Sequence, residues 1–100
     1  MNQMQQMLMQ AQRLQKQILK AHEELDKKEF TTEKAGLVTL VMKGDRSLVS
    51  LSINEDALDK ENKEMLEETI KMAVNETLAK IREEADRIDE QLTGRGGLPF

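Results

Sequence analysis

The sequence predicts an α+β fold: a long N-terminal helix, a small three-stranded antiparallel sheet and a long C-terminal helix, in one domain over residues 1–100. Three observations carry this. Met4, Met7, Ala11, Leu14, Ile18, Ala21 and Leu25 alternate in steps of three and four, an unbroken heptad seam. The run LVTLVM at 37–42 is too short for a helix, and residues 48–53 alternate apolar and polar, as strands do. Apolar residues return at helical spacing from Leu66 to Leu92.

The first helix is expected from about Asn2 to Lys28, because Met4–Leu25 contains no Gly, Pro or Thr and is rich in good helix formers. Lys27 and Lys28 suit the negative end of its dipole. Phe30-Thr31-Thr32-Glu33-Lys34 reads as a short edge strand, and Ala35-Gly36 as a bend. Leu37–Met42 is a buried strand. Lys43-Gly44-Asp45-Arg46 is a turn in which Gly44 is free to take positive φ. In the third strand Val49, Leu51 and Ile53 share one face and Ser50 and Ser52 the other, so the sheet has an apolar face that must be covered. Asn54 and Asp59 are candidate caps. The second helix is expected over about 60–92, with Leu66, Ile70, Ala73, Val74, Leu78, Ile81, Ala85, Ile88 and Leu92 as its apolar positions. From Val74 these form a second heptad seam. Gly94 is a candidate helix stop, and residues 94–100 read as a flexible tail.

Lengths then bear on assembly. A second helix of about 33 residues is near 50 Å long, whereas strands of about six residues span about 20 Å. The sheet therefore covers only part of that helix. The seams marked by Met7, Leu14 and Ile18, and by Leu78, Ile81 and Ile88, are left to find each other within one chain or across two. Two isolated helices make a thin structure, so a homodimer is the expected solution. Composition agrees: with 34% charged and 2% aromatic residues, a chain of this size has little core to spare.

The chain has no cysteine, hence no disulfide framework and no thiolate metal site, which suits a reducing cytoplasm. No run is long and apolar enough for a membrane span, and no membrane partner is expected. Catalysis has little to work with. His22 is the single histidine; His22 and Asp26 lie one helical turn apart, too few ligands for a metal site. The adjacent acids Glu67/Glu68, Glu83/Glu84 and Asp89/Glu90 point different ways around a helix. Ser47, Ser50 and Ser52 have no base nearby. Gly94-Arg95-Gly96-Gly97 lacks the spacing and Lys-Ser/Thr of a phosphate loop. We expect no enzyme, no cofactor, no metal and no small-molecule substrate.

The basic residues form the more informative constellation. Arg13, Lys16 and Lys20 give residues 1–22 a charge of +3 with no acid among them, so with a net charge of −4 residues 23–100 carry −7. With Met4 as heptad position a, Arg13, Lys20 and Lys27 occupy c and Lys16 occupies f, a stripe away from the seam. Lys80 and Arg87 likewise share position c on the second helix, though Glu83, Glu84 and Asp86 lie among them. Cations spaced along a rod can neutralise successive phosphates of nucleic acid. The pattern alone leaves open a plainer alternative, since such positions in any coiled coil are charged for solubility. The intervening glutamines could likewise contact phosphates or adenine edges, or simply form a polar face. Phe30 and Phe100, the two aromatics, are too few for stacking on single strands.

The order of parts carries a resemblance. A helix rich in Met, Gln and Lys is followed by a strand, AGLVTLVMKG, LVSLSIN, an acidic link and KEMLEETI opening a long helix. This resembles the YbaB/EbfC family of bacterial nucleoid-associated proteins over nearly the whole chain. Its most specific parts are Ala35-Gly36-Leu37-Val38 with Gly44, the spacing to Ile53 and Leu58, and Lys63-Glu64-Met65-Leu66-Glu67. The resemblance implies a tweezer-like homodimer with helices projecting from a shared β core, located in the cytoplasmic nucleoid. It implies binding of double-stranded DNA with limited sequence preference, through projecting helices that here carry Arg13, Lys16, Lys20, Lys80 and Arg87. Two departures are a short tail and a heavily acidic second helix. The competing expectation is a dimeric helical adaptor that binds a protein partner and no DNA.

Overall fold

The computed structural model describes residues 2–93, so the expected stop at Gly94 and the tail over 94–100 lie outside the described residues. Helix α1 spans Gln3–Lys27. Asn2 opens it: its side-chain oxygen accepts the Gln5 N–H at 2.8 Å, satisfying one of the first-turn donors that have no partner inside the helix. Lys28 ends it in extended conformation, with its N–H donating back to Leu25 O at 3.0 Å.

Three antiparallel strands follow, β1 (Glu29–Lys34), β2 (Val38–Lys43) and β3 (Leu48–Ile53), in the order β1-β2-β3, so β1 is an edge strand as expected. The register sets Phe30 opposite Met42 and Thr32 opposite Leu40, and on the other side Leu40 opposite Leu51 and Val38 opposite Ile53. Directly opposed residues share a face. That face is covered by helix α2, Lys63–Thr93, which lies over β1 and β2. Two short 3-10 turns, Glu55–Ala57 and Lys60–Asn62, lead into it. Both expected caps act here, Asn54 accepting the Asp56 N–H and Asp59 the Glu61 N–H. The long helix therefore starts three residues later than its spacing suggests.

The core is Val38, Leu40 and Met42 of β2 against Ala73 and Ile81 of α2, with Phe30, Leu37, Ile70, Val74 and Leu78 around it. The most buried line on α2 is Thr69, Ala73, Thr77 and Ile81, a ridge of residues four apart. Ala73 and Thr77 on it are small, and Ile81 is among the largest fully buried side chains. Two buried hydroxyls on this contact satisfy each other. Thr77 Oγ1 lies 2.7 Å from both Ala73 O and Thr32 Oγ1, and Lys80 Nζ lies 3.0 Å from Thr32 Oγ1. A hydroxyl has one proton to give. With Thr77 donating to Ala73 O, Thr32 donates to Thr77 and accepts from Lys80, leaving no orphan.

Three expectations change. Gly44 does not take positive φ; Ala35 (56°), Gly36 (66°) and Arg46 (70°) do. Glycine is required at 44 because the turn runs against the end of α1: a Cβ there would lie 1.9 Å from Leu25 O. Among the described residues the apolar side of β3 is not covered. A bulge at Val41/Met42 sets Leu48 opposite Met42, and α2 stops short of the strand. Leu48 and Leu51 are left 54% and 41% exposed. Finally, Leu78 and Ile81, expected on a helix–helix seam, belong to the sheet core.

Candidate nucleic-acid interface

The distal part of α2 returns antiparallel along α1. Ala21 and Leu25 face Ile88, Lys28 Nζ lies 3.4 Å from Glu84 Oε1, and His22 Nε2 is 2.8 Å from Asp89 Oδ1. This register carries the end of α2 to about Ile18 of α1. Beyond it Leu14 is half-buried, and every residue from 2 to 13 is exposed. At 1.5 Å per residue, about 20 Å of α1 projects past its partner. Projection accounts for the molecule's elongated shape, 71 × 22 × 14 Å.

Arg13, Lys16, Lys20 and Lys27 are all exposed along this rod. Among the described residues none of the four has an acidic or hydrogen-bonding partner. Successive members of the Arg13, Lys20, Lys27 row are separated by about 10 Å along the axis, and Lys16 adds a cation between the first two. The stretch of α1 before His22 carries no acid of its own, so the side chains it presents are neutral or positive.

The cations of α2 are placed differently. Lys80 is half-buried and donates to Thr31 O at 3.1 Å as well as to Thr32 Oγ1, closing the polar contact between β1 and α2. Arg87 pairs with Glu84, which also receives Lys28. Hydrogen bonding and charge from Glu84 raise the Arg87 pKa above its ordinary value. The same contact, Arg87 first and then Lys28, holds the Glu84 carboxyl below the usual glutamate value in spite of partial burial. Lys34, Lys63 and Lys71 pair with Glu76, Glu67 and Glu68. Arg13, Lys16 and Lys20 thus form one exposed stripe, while Lys80 bonds across to β1 and Arg87 pairs with Glu84 of its own helix.

Sequence spacing alone does not reveal the His22–Asp89 and Lys28–Glu84 contacts, whose partners are separated by most of the chain. A hint lies in the pattern: His22, at heptad position e, flanks the seam and so sits where an antiparallel partner passes. Among the described residues no group of three or more His, Cys, Asp or Glu could hold a metal ion. No helix among them is long and apolar enough to cross a membrane.

Comparison with known proteins points the same way as the basic rod. Residues 1–97 match the profile of the YbaB/EbfC DNA-binding family. A nucleoid-associated protein of Mycoplasmopsis pulmonis is 45% identical over 94 residues, covering 94% of this chain and 92% of the relative. One from Enterococcus faecalis is 44% identical over 87 residues, covering 86% and 84%. Among solved structures, an uncharacterized protein from Helicobacter pylori superposes with a TM-score of 0.76 at 21% identity, covering 94% of this chain and 99% of that one. That likeness establishes the fold alone.

Proposed function

The chain belongs to the YbaB/EbfC DNA-binding family, and from that premise we propose that it binds double-stranded DNA in the bacterial nucleoid through phosphate contacts from the projecting part of α1. The observation that carries this reading is the stripe of Arg13, Lys16 and Lys20, exposed and, among the described residues, without acidic partners, on a helix whose N-terminal part projects past the end of α2. An α-helix fits the major groove of B-DNA, and cations on its flank then meet the phosphates along the groove wall. Such contacts position the protein and carry little sequence information. The consequence is an architectural role: organising DNA and through it affecting gene expression. Lys27 extends the stripe toward the sheet.

Two arms are better than one, and the exposed apolar side of β3 supports a homodimer. Leu48, Val49 and Leu51 are exposed on an edge strand that pairs with no further strand among the described residues. A second copy related by a two-fold axis would cover the same patch on both molecules. Each dimer would then present six stripe cations. Neutralising six phosphates gives a salt slope of about −5, so affinity falls about a thousandfold between roughly 50 and 200 mM salt.

The test is a salt-titrated gel shift on unrelated duplexes, with the chain and its Arg13→Glu/Lys16→Glu/Lys20→Glu variant. Binding by the wild type should be steeply salt-dependent. The variant should lose at least about a hundredfold in affinity at low salt while keeping its sedimentation coefficient. Undiminished binding by the variant would remove α1 from the mechanism. Absence of any duplex binding by the wild type at low salt would leave the protein-adaptor reading in its place.

A further inference from the structure

The two helices keep their outer sides in water by different means. α2 does so with Lys, Arg, Glu and Asp and contains one glutamine, Gln91. The other seven all lie in α1, between Gln3 and Gln17. Charged residues would solvate the rod equally well, so solubility does not account for the choice of amides.

Met9 is out of place in a similar way. It occupies heptad position f, on the side of α1 opposite the seam, and is 45% exposed. Its helical neighbours three and four residues away are Gln5, Gln6, Gln12 and Arg13, all polar. With Gln6, Gln10 and Arg13 it lines one shallow hollow, and with Gln12, Arg13 and Lys16 the next. Met9 therefore lies on the cation side of the rod. Among the described residues the side-chain amides of Gln6 and Gln10 have no hydrogen-bond partner. That side of α1 thus has two zones, a neutral tip with Gln6, Met9 and Gln10 and then the shaft with Arg13, Lys16 and Lys20.

The chemistry of the tip selects a base pair. In the major groove guanine is matched by Arg or Lys and cytosine by a carboxylate, whereas adenine is matched by the amide of Asn or Gln and the thymine methyl by an apolar group. Residues 2–12 contain no Arg, Lys, Asp or Glu. Amides and apolar groups remain, and they complement A·T. A glutamine amide donates from its NH2 to adenine N7 and accepts from the adenine amino group through its C=O.

Spacing agrees with this division. Gln6, Met9 or Gln10, and Arg13 follow one another at three or four residues, the interval at which a groove-bound helix meets successive base pairs. The groove is about 8.5 Å deep, roughly the length of six helical residues. A helix entering obliquely with its N-terminal end first brings the tip to the base edges and leaves the first cation near the phosphates at the lip.

We propose that Gln6, Met9 and Gln10 read A·T pairs in the major groove, the amides bonding adenine and Met9 meeting the thymine methyl, while Arg13, Lys16 and Lys20 hold the backbone. This rests on the reading of α1 as the DNA-contacting arm, and the test separates the two.

The full chain is titrated at fixed salt against duplexes of equal length: one A·T-rich, one G·C-rich, and two copies of the A·T-rich duplex carrying either deaza-adenine without N7 or uracil in place of thymine. Wild type should favour the A·T-rich duplex by about tenfold or more, and both base replacements should weaken it. Gln6→Ala/Gln10→Ala should bind the A·T-rich and G·C-rich duplexes within about twofold of each other. Its salt slope should be unchanged because every cation is kept. Alanine is the best helix former, so the rod itself is preserved. Met9→Ala should no longer distinguish uracil from thymine. Steeply salt-dependent binding by wild type with equal affinity for A·T-rich and G·C-rich duplexes would overturn base reading and leave the phosphate contacts standing. An A·T preference that survives in the double variant or with deaza-adenine would also overturn it, marking readout of groove shape instead. Wild type that binds no duplex at low salt would overturn both readings.

Discussion

Gly44 shows how one residue fixes the junction between α1 and the sheet. Its N–H donates to Lys28 O at 2.9 Å, drawing the β2–β3 turn onto the end of the helix. An added Cβ would meet two backbone atoms, Leu25 O at 1.9 Å and Leu25 C at 2.7 Å, neither of which can rotate aside. Gly44→Ala should therefore separate turn from helix at a cost of about 2–3 kcal/mol, lowering Tm by about 10 °C or more in thermal melts. A Tm within a degree or two of wild type would show that the contact yields cheaply. Glu84 supports the same junction from the other side, receiving Arg87 and Lys28. Because its folded pKa is lowered, its contribution is complete above the ordinary value of 4.5 and is lost as pH falls through the depressed one. In urea unfolding at a series of pH values, the stability gap between wild type and Glu84→Gln should stay constant from neutrality to about pH 4.5, then close on further acidification. A gap that widens in acid would reverse the assigned sign.

At the scale of elements, the sequence was most legible where one physical demand set the pattern. α1 appears over Gln3–Lys27 because an unbroken heptad of good helix formers admits little else, and β2 because LVTLVM is buried on one face. α2 was legible as a helix but less so in its orientation. Its most buried ridge is Thr69, Ala73, Thr77 and Ile81, and threonine at helical spacing reads as polar surface until a hydroxyl partner such as Thr32 is in view. That partner lies 45 residues away and belongs to no local motif. The basic positions divide by the same logic. Arg13, Lys16 and Lys20 lie on a stretch without acids, and all three are exposed. Lys80 and Arg87 share a heptad position with no local sign that one caps a buried hydroxyl pair and the other neutralises Glu84. Membership of a stripe was readable; availability was decided by what folds against it.

Across the whole molecule, charge and shape run along one axis. The acid-rich stretch from Glu55 to Glu68 leads into the start of α2, and the basic tip of α1 projects past the far end, in a structure 71 Å long. A polyanion is repelled by one end and drawn to the other, so a net charge of −4 and DNA binding are compatible. One arm with three cations binds weakly by itself. In the proposed homodimer, joining two through the apolar side of β3 would convert the second arm's contact into an intramolecular event. Leu51 is the place to break that link, since it is 41% exposed and its truncation or charging leaves the α2-covered core of Val38, Leu40 and Met42 in place. Leu51→Asp should sediment as a folded monomer of 11.5 kDa with wild-type helical content. Its affinity for a duplex should fall by about a hundredfold or more although every stripe cation is retained. The contrast with the triple charge-reversal variant separates assembly from contact: that variant should stay dimeric and release DNA, whereas Leu51→Asp should release DNA because it is not dimeric. A Leu51→Asp chain that still sediments as a dimer would move the two-fold contact away from β3.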